Sequence, residues 1–171
     1  MLLILTLLTS CMPKQTQNKC DVKDMLLDKM DFPKGTLTDD PSSPVAEYPT
    51  ESAGVTASFL NDLIYQVVGR YSSVKSAERK FTENLTYYFK GDDFEGPWET
   101  LVEISYESPF AQKYHVACGN LSQGYQCRMI GQYNEYYVFF FAYISENGIT
   151  LESFQDLLMK IDEHMAQCIR E

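Results

Sequence analysis

The side chains of this 171-residue chain that could do chemistry are few: two histidines, five cysteines and scattered carboxylates. His115 stands in a strand-like run, Gln112–Cys118, where Tyr114, Val116 and Cys118 share one face and His115 takes the other. A catalytic imidazole needs a nucleophile or carboxylate within hydrogen-bond reach. The sequence offers no Gly-x-Ser-x-Gly, phosphate loop or His-Glu-x-x-His to supply one. Asp162, Glu163 and His164 are contiguous, so on a helix they point in different directions and cannot act as a dyad, and His164 is expected at the surface. The acidic turn Gly91-Asp92-Asp93-Phe94-Glu95-Gly96 has oxygens that could face a calcium ion. It lacks the alternating acids and distal glutamate of an EF-hand and reads as a solvated loop. Neither histidine has zinc-type spacing to a cysteine pair, and there is no Cys-x-x-Cys. The expectation is no metal site and no cofactor.

The first cysteine has a different setting. Met1–Leu8 is apolar and uncharged, far short of the ~20 residues that span a bilayer but close to the roughly 7–15 of a secretion-signal core. It runs into Leu8-Thr9-Ser10-Cys11, which resembles the bacterial lipobox: a branched residue, two small residues, then cysteine. The resemblance implies that residues 1–10 are a lipoprotein signal peptide, that the Cys11 thiol is acylated (with palmitate-type chains), and that cleavage leaves Cys11 as the new amino terminus. No Lys or Arg precedes Lys14, where a signal usually opens with positive charge, so a start codon assigned too far downstream is expected.

With Cys11 lipidated, Cys20, Cys118, Cys127 and Cys168 remain, an even set that reads as two disulfides in an exported chain. Three pairings are open. Cys118 and Cys127 flank the turn-rich Gly119-Asn120-Leu121-Ser122-Gln123-Gly124 between two strand-like runs, which favours Cys118–Cys127 and leaves Cys20–Cys168.

With 14 basic and 24 acidic residues the net charge is −10. Such a domain is repelled by polyanions, so no nucleic acid is expected as a partner, and membrane attachment would rest on the lipid. The stretch Met12–Lys19 is a polar tether; together with Cys11 it makes residues 11–19 the lipidated tether. Its eight residues reach at most ~28 Å. A protein or small-ligand partner is therefore expected close to the membrane, on its extracytoplasmic (periplasmic or extracellular) side.

Residues 20–171 are expected to form a single α+β domain. Val22–Met30 has a short helical pattern, and Thr36–Thr50, with three prolines, reads as a loop. Val55–Tyr71 is β-rich, one bent strand or two short ones. Ser73 can cap a helix through Val74, Ala77, Phe81, Leu85 and Tyr88. Four strand candidates follow, Trp98–Tyr106, Gln112–Cys118, Tyr125–Gln132 and Tyr136–Ser145, and Thr150 caps an amphipathic helix to Ile169. The expected architecture is an antiparallel sheet of about five strands with two amphipathic helices packed on one face, stapled by two disulfides.

This order resembles a group of α+β lipoproteins of environmental bacteria with no assigned activity. The likeness spans about Gly54 to Cys168 and is carried by Tyr71-Ser72-Ser73-Val74-Lys75-Ser76-Ala77, the cysteine-bracketed turn, the tyrosine-rich strand and Ile161-Asp162. It implies a fold and no catalytic residues. The unusual feature is the aromatic strand. Tyr133, Tyr137, Phe139, Phe141 and Tyr143 are expected on one face and Tyr136, Val138, Phe140 and Ala142 on the other. If helices cover only one side, the first set is a candidate binding surface. The resulting expectation is a non-catalytic binding, sensing or accessory lipoprotein. The alternative is a small envelope-associated hydrolase with a site around His115.

Overall fold

The computed structural model describes residues 20–42, 49–89, 97–101 and 103–169. The expectations for the signal peptide, for Cys11 and its tether, and for the acidic turn 91–96 lie outside these residues.

Six strands form one wholly antiparallel sheet: β1 (Leu37–Thr38), β2 (Glu51–Phe59), β3 (Asp62–Arg70), β4 (Lys113–Leu121), β5 (Gly124–Tyr133) and β6 (Tyr136–Tyr143). Their spatial order is β1-β2-β3-β6-β5-β4. The β-rich run is thus a hairpin, beginning earlier than Val55 and reversing at Leu60, whose φ is 56°. Helix α1 (Val74–Phe89) carries the chain from the centre of the sheet to its far edge, and β4, β5 and β6 return as a meander. Helix α2 (Leu151–Ile169) closes the domain. Both predicted caps form: Ser76 N–H donates to Ser73 Oγ at 3.2 Å and Ser153 N–H to Thr150 Oγ1 at 3.2 Å.

The α+β class, the antiparallel sheet and the disulfides Cys20–Cys168 and Cys118–Cys127 are present. The strand count is six rather than five, because β1 adds a short edge strand. The helices differ from expectation in a way that bears on function. They lie on opposite faces of the sheet, not on one. Helix α1 buries Ala77 and Phe81 with Tyr71, Ile130, Tyr137 and Phe139. Helix α2 buries Phe154, Leu157, Leu158 and Ile161 with Tyr136, Val138 and Phe140. β6 presents an apolar row to each side of the sheet, so each helix finds one to bury.

Two smaller expectations change as well. Val22–Met30 contracts to a single 3-10 turn, Val22–Met25, capped by Asp21, and Met30 is left exposed. Among the described residues of Trp98–Tyr106 no strand forms: they pair with β4 only at Glu99, opposite Cys118, and Ile104 N–H then donates back to Leu101 C=O (3.2 Å).

Candidate functional site

The aromatic row of β6 is largely closed by α1. Tyr88, near the end of that helix, stacks on Phe139 with ring centroids 4.3 Å apart and planes 14° from parallel. One turn earlier, Asn84 Nδ2 donates to Tyr137 Oη at 2.8 Å, which satisfies a buried phenol. Tyr137 and Phe139 are consequently 4% and 8% exposed. Arg128 fastens the helix end to the sheet: its Nη1 donates to Tyr88 C=O at 3.1 Å while the guanidinium lies 4.6 Å above Trp98.

Beyond α1 the row opens. Phe141 and Tyr143 are half-buried, as is Tyr65 across the β3–β6 pairing, and the Tyr65 and Phe141 rings are 5.6 Å apart. Tyr143 Oη donates to Gln123 Oε1 at 2.6 Å. Of the predicted surface, then, Phe141 and Tyr143 meet solvent and Tyr137 and Phe139 do not.

Tyr133 belongs elsewhere. The chain reverses at Asn134-Glu135, with Asn134 at φ 54°, so Tyr133 pairs with Tyr136 and shares its face, beneath α2. The expectation that placed it beside Tyr137 counted alternation through a turn. Its ring crosses Gly131, where a Cβ would stand 2.7 Å from it. Its hydroxyl donates to the buried carboxylate of Asp162. Tyr106 Oη donates to the other oxygen of the same carboxylate at 2.6 Å. Tyr114, in the same neighbourhood, has a buried hydroxyl with no hydrogen-bond partner among the described residues. Burial first, and then the nearby Asp162 carboxylate, push the Tyr133 and Tyr114 phenols well above their ordinary range. This tyrosine–aspartate cluster was missed in the sequence because its members come from four elements: the loop before β4, β4, β5 and α2.

Beside it a cleft of about 440 Å³ runs between β4 and the 99–111 loop. Its lining includes Ser105, Tyr106, Ser108, Tyr114, His115 and Val116. The loop is shaped by Ser108, whose Oγ accepts from Phe110 N–H (3.2 Å) and Ala111 N–H (2.9 Å). His115 turns its ring to the face opposite Tyr114, edge-on to Phe89 at 4.6 Å. Burial lowers its pKa and favours the neutral imidazole. Among the described residues no hydroxyl or carboxylate is hydrogen-bonded to that ring.

The contiguous Asp162-Glu163-His164 does diverge. Asp162 is buried, Glu163 pairs with Lys160 at 2.8 Å, and His164 is only partly exposed, with Nε2 3.1 Å from Asp31. His164 thus joins α2 to the segment after the 3-10 turn, instead of standing free at the surface. No group of three potential metal ligands occurs among the described residues.

Comparison of the chain with family models, with curated proteins and with solved structures finds no match.

Proposed function

We propose that this chain is an exported lipoprotein, anchored through acylated Cys11 on the outer side of a cell membrane, whose domain binds a partner there without catalysing a reaction. The observation that carries the reading is the pairing of cysteines. Four of the five are joined as Cys20–Cys168 and Cys118–Cys127, which suits an oxidising compartment. The remaining one, Cys11, is the residue that the lipobox resemblance assigns to lipid. Among the described residues no helix is long and apolar enough to cross a membrane, so the lipid is the attachment this reading relies on.

The binding role is supported by the character of the solvent-facing sites. Tyr65, Phe141 and Tyr143 form a half-open aromatic row, and the cleft beside β4 is walled by hydroxyl groups. The cleft also keeps a hydrolase in view, since Ser105, Ser108 and His115 are all among its lining residues. Replacing His115 by alanine and assaying ester and amide model substrates separates the two: the hydrolase reading requires an activity that this change abolishes.

Anchorage is tested by fractionation and intact mass of the native protein. The expected product begins at Cys11, carries acyl mass and lacks four protons for its two disulfides, and Cys11→Ser releases the domain from membranes. An unprocessed, fully reduced, soluble product would overturn the proposal.

A further inference from the structure

The cleft touches Gln112, Tyr114, His115 and Val116 in near succession. Consecutive strand residues point to opposite faces, so a cleft that meets all of them runs along the strand's edge. β4 is the last strand of the sheet. Among the described residues its outward hydrogen-bonding groups are used once, at Cys118, which exchanges bonds of 2.9 and 2.8 Å with Glu99. By the alternation of an antiparallel ladder, the N–H and C=O of Val116 and Tyr114 also point outward. Among the described residues nothing bonds to them there. The segment after Glu99 would be the natural partner, yet it turns away at Leu101–Ile104 and leaves the cleft between itself and the edge. An exposed edge of this kind is a template for an added strand.

The charges around this edge select its occupant. Glu99, Glu103 and Glu107 are exposed on the loop that forms the outer lip. The nearest lysine, Lys113, is already held by Glu78 at 2.8 Å. We propose that the edge of β4 between Gln112 and Val116 receives an extended, basic peptide segment of a partner protein, which pairs with the Tyr114 and Val116 backbone and places cationic side chains against Glu103 and Glu107. The inference rests on the reading of the domain as a binding module and is independent of the lipid at Cys11.

The test uses the full chain and three synthetic probes of equal length: alternating lysine–threonine, glutamate–threonine and lysine–proline peptides. The lysine–threonine peptide should bind, slow hydrogen exchange at the Tyr114 and Val116 amides, and weaken as salt rises. The glutamate–threonine peptide should not bind. The lysine–proline peptide keeps the charge but lacks alternate N–H donors, and should bind at least about tenfold more weakly. Val116→Pro removes an outward donor that β5 does not use and should cost a similar factor. Glu103→Gln with Glu107→Gln should flatten the salt dependence. Equal binding of the lysine–threonine and lysine–proline peptides would reduce the effect to charge alone and overturn the proposal. So would absence of binding, or a concentration-dependent dimer that occupies the edge with a second copy of the chain. The wild-type exchange measurement decides the matter even if Val116→Pro does not fold. Failure of any arm leaves the anchorage experiment untouched.

Discussion

Tyr133 of β5 donates its hydroxyl proton to Asp162 of α2, 29 residues away, at a point where neither residue meets solvent. Tyr106, from the loop before β4, donates to the other oxygen of that carboxylate at 2.6 Å. The loop wall, the sheet and the closing helix therefore meet on one acceptor. A buried acceptor shared by two donors is costly to remove, since each stranded hydroxyl loses about 1–3 kcal/mol of solvation without replacement. Asp162→Ala is expected to destabilise the oxidised domain by about 3 kcal/mol or more. Tyr106→Phe should cost less, because Asp162 keeps Tyr133. Urea unfolding of the variants measures both, and equal stability of Asp162→Ala and wild type would show that the cluster is energetically idle.

The tyrosines give the protein an alkaline limit. Burial, the Glu83 carboxylate and Tyr88 push Tyr71 up to about 12 from its ordinary 10.0, and burial also raises Tyr133 and Tyr137 well above it. Each holds its proton in the folded state at pH values where the unfolded chain releases it. Above pH 10 the unfolded state binds fewer protons, so stability falls with rising pH. Below the unfolded value the contribution is fully present; it is lost progressively between pH 10 and the folded values, about 12 for Tyr71. Phenolate absorbance is expected to show these tyrosines ionising late and together with loss of the fold. Independent titration of all twelve tyrosines near their ordinary value would contradict it.

Much of this framework was legible in local patterns. The steps Ala77–Phe81–Leu85–Tyr88 and Phe154–Leu157–Leu158–Ile161 announce two amphipathic helices, and Ser73 and Thr150 announce their starts. The cysteine pairing followed from a turn-rich segment between strands. What stayed hidden was non-local. Two apolar rows on β6 are compatible with cover on one side or both, and only the crossing of α1 from β3 to β4 decides. Trp98–Tyr106 has the composition of a strand, but a strand needs a partner along its length, and among its described residues only Glu99 finds one. Tyr133 looked continuous with Tyr137 because the reversal at Asn134-Glu135 lacks the glycine that usually marks a tight turn. The candidate surface lost Tyr133, Tyr137 and Phe139 for these reasons, and the cleft beside β4 took its place.

The two disulfides should not contribute equally. Cys20–Cys168 closes 148 residues and Cys118–Cys127 only nine. On loop entropy alone the first is worth roughly 5 kcal/mol and the second under ~3 kcal/mol. The long bridge also joins the 3-10 turn to α2, whose apolar residues share one core. Replacing Cys20 and Cys168 together by serine is therefore expected to lower the denaturation midpoint more than replacing Cys118 and Cys127. The short pair is already held in register by the β4–β5 ladder. The opposite order of midpoints would refute the ranking.

One glycine is fixed by contact instead of by φ. An added Cβ at Gly148 would lie 1.8 Å from Asp62 Oδ2 and 2.6 Å from Ser145 Oγ. That carboxylate oxygen accepts from Ser145 Oγ (2.6 Å) and from Ile149 N–H (2.8 Å), tying the β2–β3 hairpin to the turn that precedes α2. Gly148→Ala must displace Asp62 and strand the buried Ile149 amide, so a loss of about 2–3 kcal/mol is expected. Asp62→Ala removes the obstacle and the acceptor together, so adding Gly148→Ala to it should cost much less than Gly148→Ala alone. A double-mutant cycle by thermal or urea unfolding reads this coupling directly. Additive effects would mean that Gly148 is required for some reason other than its contact with Asp62.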